Sequence, residues 1–335
     1  MNRKKAFSLF SGGLDSLLAS RLIMDQGIEV IGLHFITPFF GYYQKGREAY
    51  FEDRWRRLYG VQARIIDIGE EYLDIVRNPR YGFGKNLNPC IDCKIFLFTR
   101  AKKIMEEENA DFLVTGEVLG QRPMSQRRDT LRIVERDSGT DGILLRPLSA
   151  KNLKPTRPEL EGIVDRERLL NLSGRSRKPQ INLAKEMGWR EYPTPAGGCL
   201  LTDPLVANRI RKYFARCSQA LLNEILLLQV GRHFELSPGL HLVVGRRDEE
   251  NKRLQGLCQP KDFLFRVKGI PGPLGLLRGE ADQKIIGLAA AIVSRYGKAK
   301  DCDRVEVHYG TDADHLDQSI KVSPAREEEV APLRF

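Results

Sequence analysis

The chain has 335 residues, 41% hydrophobic and 29% charged, and its 54 basic against 44 acidic side chains leave a net charge of +10. That is an ordinary globular composition with room for two or three domains, and no window approaches the roughly 20 apolar residues a membrane span needs. The basic start, MNRKKAF, meets a glycine turn too soon for a signal peptide, so a cytoplasmic protein with reduced cysteines is expected, and the positive balance suits a polyanion such as nucleic acid.

In chain order, residues 5–10 read as a buried strand and 14–26 as a helix with apolar Leu14, Leu17, Leu18, Leu22 and Ile23. A second strand (29–35) and helix (47–59) follow, then a third strand (63–68), a long helix (91–108), a fourth strand (111–115) and a fifth near 142–146. Strands alternating with helices predict parallel βαβ units in a doubly wound α/β sheet, whose site lies at the carboxyl ends of the strands. Residues 11–16, the stretch after Phe35, and Gly116–Glu117 then share one edge.

The stretch "SGGLDS", Ser11 to Ser16, sits where the first strand gives way to the first helix. Gly12 and Gly13 permit a tight turn, and the N–H groups of turn and helix start form an anion cradle. Ser11 and Ser16 add hydroxyls, and Asp15 offers a carboxylate for Mg²⁺ beside a phosphate. The bland reading, a glycine turn with helix-start residues, would suit an isolated SGG. This loop resembles the PP-loop of the ATP pyrophosphatase superfamily, which splits ATP into AMP and pyrophosphate and adenylates a carbonyl oxygen. The segment "DFLVTGEVLGQRPMSQ", Asp111 to Gln126, is similar to the TGE-x-x-GQ…SQ segment of tRNA 4-thiouridine synthases, and "LLRPL", Leu144 to Leu148, matches a later one. The resemblance covers roughly the first 200 residues. It implies that Gly116, Glu117 and Gln121 lie against the nucleotide.

Cysteines extend this reading. Cys90 and Cys93 form a C-x-x-C placed just before the long helix, and Cys199 lies in the Pro-Gly loop "PTPAGGCLLTDP". Two thiolates at that spacing reach one metal or cluster, and a third from a distant loop completes a three-thiolate site. One branch of the sulfur-transferring PP-loop enzymes holds a [4Fe–4S] cluster on such a set, with one iron open for the sulfur to be delivered. Zn²⁺ with a fourth ligand, or a cluster-free persulfide route through Cys90 or Cys93 and Cys199, stays open. Cys217, Cys258 and Cys302 read as structural.

The resemblance implies adenylation of a uridine carbonyl and attack by a sulfur nucleophile with loss of AMP. Asp15, Cys90 and Cys199 are the catalytic candidates, with ATP and Mg²⁺ as cofactors. A tRNA or other RNA and a sulfur donor, free sulfide or a persulfide carrier, are the partners. Residues 203–229 read as a helical linker, and 230–335 as a smaller α+β domain beginning with strands around a Pro-Gly turn. "VVGRRDEENKRL", "FRVKGIPGP" and "AAAIVSRYGKAK" resemble the NFACT-type RNA-binding domain, except that Arg266 stands where that family usually has histidine. Arg246, Arg247, Lys252, Arg253, Arg266, Lys268, Arg295, Lys298 and Lys300 are expected to track phosphates. The 4-thiouridine synthases deliver RNA with a THUMP module ahead of the PP-loop domain. Here the first strand begins at Lys5, so the tail is expected to take over delivery, with uridine position 4 as the first target and position 2 of uridine or cytidine open. A carboxylate-adenylating amidotransferase and an RNA binder with a vestigial site are the competing classes. A homodimer is left open, and "REEEV" (326–330) reads as a mobile acidic tail.

Overall fold

The computed structural model describes residues 4–192, 198–312 and 315–335. They divide into two compact units, Met1–Ala207 and Asn208–Phe335. None of the helices described is long and apolar enough to cross a membrane.

The first unit follows the expected alternation: β1 (Lys5–Leu9), α1 (Leu14–Met24), β2 (Glu29–Ile36), α2 (Glu48–Tyr59), β3 (Gln62–Asp67), α3 (Gly69–Arg77), α4 (Cys90–Glu107), β4 (Phe112–Thr115), α5 (Arg128–Ser138), β5 (Leu144–Leu145), the single turn α6 (Arg157–Leu160) and α7 (Lys178–Glu186). The strands run parallel in the order β3-β2-β1-β4-β5. Connections from β1 go to one side and those reaching β4 come from the other, so the switch point lies between β1 and β4. β1, β2 and β4 are nearly continuous buried runs, as strands covered on both faces must be. One cluster joins Ala6, Phe112 and Val114 of the sheet to Leu14, Leu18 and Ile23 of α1 and Ala184 of α7. Another packs Phe10 and Leu17 on Trp55 and Tyr59 of α2.

Two boundaries shift in ways that matter. The long helix begins at Cys90, so the C-x-x-C occupies its first turn and does not precede it. The short helix α3, which the sequence reading left unassigned, buries Tyr72, Leu73 and Val76.

α8 (Pro204–Arg216) spans the division between the units. The second unit continues with α9 (Leu222–Leu227), β6 (Arg232–Ser237), β7 (Leu240–Val244), α10 (Asp248–Leu257), β8 (Phe263–Val267), β9 (Gly275–Arg278), α11 (Gln283–Arg295), β10 (Val305–Gly310), β11 (Gln318–Val322) and α12 (Glu327–Val330). Its antiparallel sheet has the order β11-β10-β8-β9-β7-β6. α11, capped by Asp282 on the N–H of Ile285, lays Ile286, Ala289, Ala290 and Val293 on Phe265, Val267 and Leu277. Leu227 of α9, which falls in the segment expected as linker, packs with Val230, Val243, Leu254 and Leu276.

The acidic end is not a mobile tail. Val330 is fully buried in the second unit's core, Glu327 is gripped by Arg295 and Arg334 at 2.6 Å each, and the Phe335 N–H donates to His233 O at 3.0 Å. The three consecutive glutamates hid an apolar anchor in one helical turn.

Candidate active site

At the end of β1 the backbone turns sharply: Gly12 takes φ +70°, which L side chains rarely adopt, and its face lies against the ring of Trp55. Gly13 caps α1 with an extended conformation and no side-chain hydrogen bond, so the first-turn N–H groups are left for a ligand. Ser16 Oγ donates to Gly13 O at 2.8 Å and lies 3.3 Å from Ser11 Oγ, while the Gly13 N–H donates to Ser11 Oγ at 3.3 Å. The two hydroxyls therefore sit together at the helix entrance.

Asp15, on the first turn, is oriented from two directions. Its Oδ2 accepts from Gln121 Nε2 at 2.7 Å and lies 3.7 Å from Arg177 Nη2. Gln121 Oε1 in turn accepts from Gln180 Nε2 at 3.2 Å. Asp15 Oδ1 is buried without a protein partner among the described residues. A buried carboxylate oxygen left over beside an uncapped helix start suits a hard cation with a phosphate, the donor type Mg²⁺ takes. Arg177 and the buried Gln180, both from α7 or its cap, escaped the sequence reading because nothing in "RSRKPQ" points back across more than 160 residues.

Gly116 is required by space. A Cβ there would lie 2.5 Å from the carbonyl carbon of Asp15 and 2.6 Å from both Asp15 O and Ser16 N. The next residue, Glu117, turns away from the loop into a buried charge network. Lys94 Nζ donates to Glu117 Oε1 and, at 2.8 Å, to Ser125 O; Arg146 Nε donates to Glu117 Oε2 at 3.0 Å and Nη1 to Glu135. Burial pushes the Glu117 carboxyl up, but Lys94 and Arg146 outweigh it and hold the group below the usual carboxylate range. Burial also pulls the Lys94 ammonium down. Both Glu117 oxygens are engaged within the protein, whereas the sequence resemblance sets this residue against the nucleotide.

The three thiols are brought into one neighbourhood by hydrogen bonds between distant loops. The Leu87 N–H donates to Leu201 O at 3.1 Å, Asn86 Nδ2 donates to Thr202 O at 2.6 Å, and the Leu200 N–H donates to Phe39 O at 2.9 Å. These bonds lay the turn bearing Cys199 over the start of α4. The remainder of its Pro-Gly loop, residues 193–197, lies outside the described residues. Asn88 Nδ2 donates to Cys90 Sγ at 3.1 Å, and the Tyr72 hydroxyl from α3 bonds to Cys93. Burial pushes Cys93 up to about 12, and the hydroxyl of Tyr72 only partly offsets this; Cys199 and Cys90 raise it further. Burial likewise lifts Cys199 to about 11. Among the described residues no three His, Cys, Asp or Glu side chains converge as a closed metal site. The thiols are thus grouped without being drawn to a common point.

The matches to known families fall on these features. Residues 2–154 match the family model described as thiamine biosynthesis protein (ThiI). The first unit is similar to that family over most of its length. Residues 231–334 match the NFACT protein RNA binding domain. A probable tRNA sulfurtransferase of Thermococcus kodakarensis is 31% identical over 150 residues, 43% of this chain and 36% of that protein. The tRNA-specific 2-thiouridylase MnmA of Syntrophotalea carbinolica is 33% identical over 113 residues, 32% of each chain. These matches span about a third of the relatives' length. A solved 4-thiouridine synthetase–RNA complex with bound ATP aligns over 68% of this chain and 52% of its own, at 22% identity and a TM-score of 0.41. Against that family model, Cys90, Cys93 and Lys94 fall inside the matched residues and Arg177, Gln180 and Cys199 beyond them.

In the second unit the nine cations expected to track phosphates divide. Lys252 pairs with Asp248, Lys268 with Glu306, Arg295 with Glu327 and, loosely, Lys300 with Asp301, while Arg246 donates to Gly231 O at 2.8 Å. Arg247, Arg253, Arg266 and Lys298 form no ion pair among the described residues. Arg266 stands exposed on β8 directly across from His308 of β10, in a cleft that also holds Lys268 and His315.

Proposed function

We propose that the protein is an ATP-dependent tRNA sulfurtransferase that adenylates a uridine carbonyl oxygen and replaces it with sulfur. One observation carries the reading: a continuous path of contacts runs from the phosphate cradle to the thiols. Gly116 lies against Asp15 of the loop, Glu117 follows it, and Glu117 grips Lys94, the residue after Cys93. An amidotransferase would use the first half of that path and leave the second without purpose.

In the proposed reaction the uridine oxygen attacks the α-phosphorus of ATP and pyrophosphate leaves. The uncapped N–H groups of α1, with the Ser11 and Ser16 hydroxyls, receive the charge that develops on the leaving group. Asp15 would hold Mg²⁺ through its unpartnered Oδ1, and Gln121 and Arg177 fix the carboxylate for it. A sulfur nucleophile then adds to the activated carbon and AMP departs with the former carbonyl oxygen. Cys90, Cys93 and Cys199 would hold a [4Fe–4S] cluster, which when bound supplies an iron open to the incoming sulfur. Burial pushes the Cys93 and Cys199 thiols up, so a metal that displaces their protons on binding would suit this pair. Position 4 of uridine is the first target; the MnmA relative favours position 2 as the second. The second unit, with Arg266 at its exposed face, would hold the RNA.

The test is the anaerobic iron and acid-labile sulfide content of wild type and Cys199→Ala, with nucleoside mass spectrometry of tRNA after reaction with ATP and sulfide. Four irons per chain, lost in the variant, with 4-thiouridine formed only by wild type, is the expected result. Iron-free protein that still thiolates from sulfide would remove the cluster from the route, sulfide itself attacking the activated carbon. Thiolation only from a persulfide-carrying donor would replace the cluster by the persulfide route. Pyrophosphate release without thiolated nucleoside would remove the reading.

A further inference from the structure

A further cleft in the first unit is lined by neither the Ser11–Ser16 loop nor the thiols. It has a volume of about 580 Å³ and opens between α5 and the segment 141–159. Arg146 lines it, and this side chain is only 2% exposed. Two of its nitrogens are used by Glu117 and Glu135, but Nη2 is buried with no partner among the described residues. Leaving a guanidinium N–H unsatisfied in burial is costly, so the position calls for an acceptor.

The rest of the cleft names the acceptor's charge. Arg128, Arg132 and Arg136 follow one another at four-residue spacing along α5, about 6 Å per step, and Lys154 faces them across the cleft. Of the carboxylates on the wall, Glu135 is neutralised by Arg146 and Glu159 by Arg166, leaving Asp141. Arg128 and Arg136 are partly engaged, by Asn152 O and by Asp137. Arg132 and Lys154 make no ion pair among the described residues and are exposed.

We propose that this cleft binds phosphate groups of the RNA backbone, with Arg146 Nη2 as the buried donor and Arg132 and Lys154 as the outer cations; this rests on RNA being the substrate. A row of cations at regular steps fits a chain of phosphates better than a lone ion, which one buried guanidinium would satisfy. The site also touches the chemistry. Arg146 holds Glu117 with its Nε, so a phosphate on Nη2 acts on the same side chain that positions the Glu117–Lys94 pair.

The full chain, an unmodified tRNA transcript and inorganic phosphate test this. RNA affinity is measured by fluorescence anisotropy over a salt series for wild type, for the double variant Arg132→Ala/Lys154→Ala, and for Lys102→Ala/Lys103→Ala on α4 as a charge-matched control. Losing two phosphate contacts flattens the salt slope by about 1.5 to 2 and weakens binding about 20-fold at physiological salt. The control stays within twofold, and all three proteins melt at the same temperature. Unchanged RNA affinity in the double variant, or an equal loss in the control, overturns the proposal and leaves the thiolation reading standing. So does a thermal shift by inorganic phosphate that the double variant loses while it keeps its RNA affinity, which would assign the cleft to the free ion. Wild type that binds no RNA at any salt removes both.

Discussion

Replacing Gly116 by alanine is the sharpest probe of how β4 and α1 form the site. The new Cβ would come within 2.5–2.6 Å of three backbone atoms of Asp15 and Ser16, where ordinary contact needs about 3.5 Å. None of these atoms belongs to a flexible side chain, so relief requires the first turn of α1 to move about 1 Å from the strand end. Gly116 does not have a positive φ, so the effect is one of space and not of backbone strain. Overpacking of this kind costs about 1–3 kcal/mol of stability. The larger effect is on rate: a 1 Å displacement of the N–H groups and of Asp15 from the phosphates costs about 100-fold, or about 2.7 kcal/mol of barrier. The assay is ATP-dependent pyrophosphate release with tRNA present, alongside a thermal melt. A variant that melts a few degrees lower yet keeps its rate within about threefold would refute the assignment of this helix start to the reacting phosphates.

Three further outcomes follow from the same contacts. Asp15→Asn keeps the shape and the Gln121 contact but removes the charge for a cation, so pyrophosphate release falls about 100-fold or more and the Mg²⁺ concentration at half-maximal rate rises. Glu117→Gln leaves Lys94 and Arg146 short of a buried counter-charge; a loss of about 3–5 kcal/mol is expected from the urea midpoint, far more than for exposed Glu107→Gln. Glu108 is held down to about 2, against an ordinary 4.5, by hydrogen bonds from Arg64 and then Lys5. Because its folded value is depressed, its stabilising contribution is present above pH 4.5 and is lost as the pH falls through about 2. Glu108→Gln should therefore flatten the decline in urea midpoint between pH 5 and 2, and an unchanged decline would assign the acid sensitivity to other carboxylates.

The order of elements in the first unit was legible because buried parallel strands are short apolar runs ended by glycine or polar turns, as at Leu9 before Ser11 and Thr115 before Gly116. The cradle was legible for the opposite reason: "SGGLDS" is a run of residues that packing alone would not choose. What the sequence hid depends on contacts between segments far apart. Lys94, on a helix with many charges, looks like any solvated lysine until Glu117 and Ser125 O are seen around it. Tyr72 looks like core, and only its bond to Cys93 gives it a second role. The acidic end hides its anchors because three glutamates stand beside the apolar Val330 and Leu333 that pack on the core.

In the proposed reaction adenylation and sulfur attack reach one carbonyl group, the first at its oxygen and the second at its carbon, so their machinery could not be separated by more than a nucleobase. A parallel strand end offers a compact way to do this, since successive residues turn to opposite sides. Just past β4, Gly116 meets Asp15 at the start of α1 and Glu117 meets Lys94 near the start of α4. Two helices with different groups at their N-termini, the Ser11–Ser16 loop on one and thiols on the other, are thereby fixed to adjacent residues just past one strand. Neither residue needs to touch the substrate for the arrangement to depend on it. Gly116 acts by having no side chain, and Glu117 by tying Lys94 and Arg146 across the sheet end. A lesion at either should therefore impair both half-reactions together, whereas loss of Cys199 should stop sulfur transfer and AMP departure and leave adenylation, read as pyrophosphate release, intact.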